Sequence, residues 1–150
     1  MANPDSVAQF YLDNFGAARV ATITPTQFNT TGNAVITIPL LSGGLTNSAT
    51  GGASGAIIIR RISVVNPSGS LATANLSITQ SNDGNVSNLV CANLTLSSIT
   101  GVNTFQDLTL SGGNVVVHGD NCQALFVNVN VASANASTAQ INVYGDVVRF

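Results

Sequence analysis

Apolar residues return at every second position through most of this chain, and that period constrains the fold more than any other feature. Ile36, Ile38 and Leu40 alternate with polar neighbours, as do Ala72, Ala74, Leu76 and Ile78. Val90, Ala92, Leu94 and Leu96 repeat the pattern, and so do Leu125, Val127, Val129 and Val131. Successive side chains of a strand point to opposite faces, so a period of two marks half-buried β-strands. Turn sequences separate the alternating runs: Asn66-Pro67-Ser68-Gly69, Asn82-Asp83-Gly84-Asn85 and Ser111-Gly112-Gly113. The Asp-Gly pair favours a tight hairpin, because Gly takes positive φ freely and Asp tolerates it. The run Ile57-Ile58-Ile59 predicts burial on both faces of a strand over 56–65. Further strands are predicted over 19–24, 33–41, 71–79, 88–97, 105–110, 115–118, 123–131 and 140–149. The last has Ile141, Val143 and Val147 inward and a bulge marked by Gly145. Eight or nine strands at this spacing predict an all-β fold, an antiparallel β-sandwich of jelly-roll type. The period alone leaves a closed barrel or another Greek-key order open.

Charge supports the same class. Only 7% of the residues are charged, against about 25% in an ordinary domain. Lys and Glu are absent, and both normally cover exposed helix faces. Polarity comes from Asn, Thr, Ser and Gly, which suit strands and turns. The net charge of −2 and only four arginines argue against a nucleic-acid partner. A typical site of that kind neutralises about six to ten phosphates. A surface with so little charge repels its own copies weakly, and this favours association. No stretch approaches the roughly 18 apolar residues of a membrane span. The first residues lack the basic start and apolar run of a secretion signal, so synthesis in the cytoplasm is expected. The sequons at Asn29, Asn75, Asn85, Asn93 and Asn135 then read as plain polar positions.

Residues 1–16 stand apart from the sandwich domain expected over 17–150. Pro4-Asp5-Ser6 reads as a helix start and Gly16 as a stop, with Val7, Phe10, Tyr11 and Phe15 at helical spacing between them. This is a short helix or arm, packed on its own domain or docked on a neighbouring subunit. A Gly-, Ser-, Thr- and Asn-rich loop is expected over 42–55, and it is a candidate contact loop.

Groups for catalysis are scarce, and no enzyme activity is expected. There is one histidine and no Gly-x-Ser-x-Gly motif, and the six aspartates are scattered along the chain. His118, Asp120 and Cys122 are the one candidate metal cluster, since all three side-chain types bind zinc. Gly119-Asp120-Asn121 is turn chemistry, which breaks the alternation that would align them. No metal and no cofactor is therefore expected. Cys91 and Cys122 allow one disulfide at most.

The outward positions carry the remaining signal. Asn75, Ser77, Asn93, Thr95, Asn128, Asn130 and Asn142 alternate with the core residues. Arg60 and Arg61 are neighbours in one strand, so they should face opposite ways. One would lie against an aspartate and the other would anchor a neighbour. Tyr144, between Asn142 and Asp146, completes a polar-aromatic trio on the outer face of the last strand. Phe10, Tyr11, Phe15, Arg60, Arg61 and Tyr144 are the candidate assembly contacts.

The stretches ATITPTQFNTTGNAVITIPLLSGG, RRISVVNPSGS and INVYGDVVRF resemble small tailed-phage virion proteins of the capsid decoration (cement) or head-fibre base type. The resemblance is one of composition and layout, and it assigns no role to any single residue. It implies a homotrimer on the capsid exterior, bound to a major capsid protein and stabilising the shell by subunit packing. Two alternatives stay open at this point: a glycan-binding module or adhesin using its loops, and a self-assembling surface or sheath protein.

Overall fold

The computed structural model describes residues 18–30, 35–39, 55–80, 89–111, 115–118 and 124–149. They form nine strands: β1 (Ala18–Gln27), β2 (Val35–Pro39), β3 (Gly55–Val65), β4 (Asn75–Thr79), β5 (Leu89–Thr95), β6 (Gln106–Leu108), β7 (Val116–His118), β8 (Ala124–Val131) and β9 (Thr138–Arg149). The predicted strands all recur with shifted ends. Residues 1–16 and nearly all of the loop expected over 42–55 lie outside the described residues. So does the Asp83-Gly84 turn, although β4 and β5 on either side of it pair antiparallel.

The strands make two antiparallel sheets. One runs β1-β9-β3-β6, with β7 also on β3, and the other runs β2-β8-β4-β5. β6 pairs with Ile62–Val64 and β7 with Ala56–Ile58 of the same strand, so the two are halves of one interrupted edge. Counted that way there are eight strands, and early strands lie beside late ones in both sheets. This is the jelly-roll order of two Greek keys. Both strands that contain a proline, β1 with Pro25 and β2 with Pro39, lie at sheet edges. A residue with no N–H to donate is tolerated there.

The break between β6 and β7 also links the two sheets. Leu110 forms a bridge to Cys91, and Ser111 N–H donates to the Val90 carbonyl at 2.7 Å. The chain then returns to β3, where Ile59 N–H donates to the Val115 carbonyl at 2.7 Å. One side of the sandwich is thereby tied by backbone hydrogen bonds.

Between the sheets lies one apolar core. Ile57, Ile59, Ile62, Val64, Ile141 and Val143 come from the first sheet, and Leu76, Ile78, Val90, Leu125, Val127 and Val129 from the second. Phe28, Leu71, Leu96 and Ile99, from the loops, close it and are fully buried. Each such aliphatic or aromatic side chain contributes about 1.5–3 kcal/mol on leaving water. Cys91 is a free thiol within this core.

The structure changes several of the expected faces. In β5, Val90 and Cys91 are both buried while Ala92 is exposed and Leu94 is half-buried. The register explains this. Leu76 opposes Leu94 and Ile78 opposes Cys91, while Thr79 opposes Leu89. Each step carries one extra residue on β5, and each such bulge reverses the inward phase. Val131 was expected inside but is exposed at the end of β8, and Ala72 lies in a half-buried turn before β4. Ile58 is half-buried on the outer face, so the isoleucine run is not sealed on both sides.

Candidate functional site

The outer faces of the two sheets differ in chemistry. On the β2-β8-β4-β5 sheet the outward side chains include Asn75, Ser77, Thr79, Asn93, Thr95, Asn128 and Asn130, and none of these is charged. They bond to one another. Asn130 Nδ2 donates to Asn93 Oδ1 at 2.7 Å and to Ser77 Oγ at 3.2 Å. Asn128 Nδ2 reaches Thr79 Oγ1 at 3.3 Å, and Asn75 Nδ2 reaches Thr95 Oγ1 at 3.3 Å. These cross-strand pairs spend much of the face's hydrogen-bonding capacity within the sheet.

The outer face of the β1-β9-β3-β6 sheet holds five charged side chains: Arg19, Arg60, Arg61, Asp107 and Asp146. Gly145 organises them. Beside Gly145, β3 carries an extra residue, Arg60, between the partners of Gly145 and Tyr144, and one step further on β1 carries another, Val20, between the partners of Tyr144 and Val143. A Cβ at position 145 would stand 2.4 Å from the Ile58 carbonyl oxygen, so only glycine lets β3 approach this closely. The bulge predicted at Gly145 is thus present, with its extra residues on the flanking strands.

That bulge corrects the expected placement of the two arginines. Arg60 and Arg61 do not face opposite ways; both lie on the outer side, because the extra residue uses up one step of the alternation. Arg60 Nε donates to Asp146 Oδ2 at 2.8 Å, with the two side chains 58% and 45% exposed. Arg61 is half-buried, with its guanidinium carbon 4.3 Å from the centre of the Tyr144 ring and its Nε 3.9 Å from Asp107 Oδ1. A guanidinium over an aromatic face gains from the ring quadrupole. Arg19 opposes Tyr144 from the other side, so Arg19, Tyr144 and Arg61 form one row across three strands.

The trio of Asn142, Tyr144 and Asp146 shares this face as predicted. Asn142 Nδ2 donates to Tyr144 Oη at 3.4 Å and Asn142 Oδ1 accepts from Thr22 Oγ1 at 2.5 Å. Gln140 links Thr22 and Asn66, and Ser63 Oγ donates to Asp107. Towards the opposite end of the face, apolar side chains join Asp146. Asp146, Ile58 and Val116 are level across the strands, and the next row holds Val148, Ala56 and His118. Val116 and Val148 are exposed. The face therefore grades from a bonded polar end, through Arg and Tyr, to an end where Ile58, Val116 and Val148 flank Asp146. Sequence reasoning named Arg60, Arg61 and Tyr144 but missed Arg19, Asp107, Val116 and Val148. Their link to the others is register across strands distant in sequence, which no local pattern reports.

The remaining candidates are not brought together. His118 lies in β7, while Asp120 and Cys122 lie outside the described residues, as do Phe10, Tyr11 and Phe15. Among the described residues no three His, Cys, Asp or Glu side chains gather into a metal-binding group. No helix among them is long and apolar enough to cross a membrane. Burial pushes the Cys91 thiol up to about 12, so it stays protonated at neutral pH. The chain matches no family model, no curated protein and no solved structure.

Proposed function

We propose that this protein is a structural virion component, a capsid decoration protein that acts by packing against copies of itself and against a major capsid protein. The observation that carries the reading is the division of its surface. The jelly roll has one outer face whose described side chains are uncharged and bond largely to one another, and one outer face bearing Arg, Tyr and aliphatic side chains together. Protein contact surfaces are enriched in Tyr and Arg and poor in Lys and Glu, and this chain has neither Lys nor Glu. Jelly rolls are a recurrent architecture of capsid domains, and this likeness is one of fold. Packing requires no reactive group, in keeping with the scarcity of candidate catalytic residues in the sequence.

The test is mass spectrometry of phage particles assembled from the genome that encodes this chain, purified by density gradient. The chain should band with DNA-filled particles at a fixed, high copy number. Its recovery only in the particle-free fraction would end the virion reading. Glycan-array binding by that free chain would move the function to the adhesin alternative.

A further inference from the structure

We infer that the charged outer face of the β1-β9-β3-β6 sheet is a two-fold pairing surface for a second copy of this chain. The inference rests on the reading of the chain as an assembly protein and adds which surface is used and with what symmetry. It departs from the trimer that the family resemblance implies.

Charge placement identifies the occupant. The face carries both signs, with Arg19, Arg60 and Arg61 against Asp107 and Asp146. A simply anionic partner would meet two carboxylates, whereas a copy of the same face meets its complement. A two-fold contact is isologous, so each residue faces its counterpart's partner twice. Take an axis parallel to the strands and running between β9 and β3. It lays β3 of one copy over β9 of the other, and β1 over the β6 edge. Ile58 of each copy then lies over Asp146 of the other, Arg60 comes one to two residues along from that Asp146 and within side-chain reach of it, and Arg19 comes one row beyond β6, the strand that carries Asp107. Rotation about such an axis keeps every row level with itself. Val148 of each copy therefore meets Ala56 of the other.

The area is sufficient but small. Four strands at about 4.8 Å spacing and about nine residues of β9 make a face roughly 19 Å by 30 Å. Pairing covers roughly 550 Å² on each copy, or about 1,100 Å² in all, just above the ~1,000 Å² a specific interface needs. The pair therefore depends on protein concentration, and it weakens as salt screens its charges.

Sedimentation velocity of the full chain over a concentration series tests this, with far-UV circular dichroism confirming that each variant folds. Wild type should pass from monomer to dimer. Arg60→Asp sets carboxylates against carboxylates, and Asp146→Arg sets arginines against arginines. Each alone should weaken pairing about tenfold or more. Mixed one to one, the two variants should recover the dimer, because every cross-copy contact is then attractive. A purely intramolecular role for Arg60 and Asp146 cannot produce that recovery. Wild type that stays monomeric at the highest concentration overturns the proposal, and so does a mixture that stays monomeric. Should a reversal fail to fold, Val148→Asp beside the axis must abolish pairing, and a surviving dimer overturns the proposal. A monomer that still bands with particles would reject the pairing surface alone, leaving the virion reading intact.

Discussion

The two outer faces come from the same strand chemistry and end in opposite roles. Asn130 on one sheet and Asn142 on the other are both outward asparagines in central strands. Asn130 finds Ser77 and Asn93 on a face where the described side chains carry no charge. Asn142 is buried at 6% exposure beneath a surface that carries Tyr144, Arg61 and Arg19. Exposed ion pairs stabilise a monomer by only about 0–1 kcal/mol. Gathering the described charges on one face therefore contributes little to folding. The difference separates a face that bonds largely within itself from one whose chemistry suits a contact.

The largest effect on this contrast should come from Gly145→Ala. The new Cβ would strike the Ile58 carbonyl, so β3 and β9 must separate and the Arg60 bulge must shift. Overpacking of this kind costs about 1–3 kcal/mol, and urea denaturation should show a loss near the top of that range. A variant within about 0.5 kcal/mol of wild type would mean that the charged face does not depend on this close approach.

A second effect belongs to the uncharged sheet, whose β5 buries Cys91. The folded thiol holds its proton up to about 12, against an ordinary value of 9.0. Stability from this group is therefore complete below pH 9 and falls as pH climbs towards 12, where the unfolded thiol ionises and the folded one resists. Thermal melts of wild type and Cys91→Ala across that window should diverge in slope, with the alanine variant flatter. Equal slopes would show that Cys91 ionises as freely in the folded chain as in the unfolded one.

The smallest effects compare one residue from each face. Asn130→Ala should cost about 1 kcal/mol by removing two side-chain hydrogen bonds, with no change in native mass. Arg60→Ala should move stability by less than about 0.5 kcal/mol, because its ion pair is exposed, yet reduce self-association. If Arg60→Ala destabilises the monomer more than Asn130→Ala does, the division of labour between the faces is wrong.

Much of this was legible locally. The period of two placed Leu76, Ile78, Leu125, Val127, Ile141 and Val143 inward, and the outward positions of Asn142, Tyr144 and Asp146 followed from the same count. Gly145 announced a bulge for the same reason, since glycine interrupts a strand where another backbone comes close. The errors sit where a strand carries extra residues. Cys91 in place of Ala92 points inward, and Arg60 joins Arg61 on one side, because an added residue reverses the count.

By itself the sequence determined the strands, most of their inward faces and a surface nearly empty of charge, since these depend on residue type and period along one segment. Only the tertiary structure decided which strands became neighbours. Arg19, Asp107 and Asp146 reach one face through pairings of β1 with β9, β9 with β3 and β3 with β6. Those pairings are chosen by the collective burial of one core and the closure of two sheets, and no stretch of sequence encodes them alone.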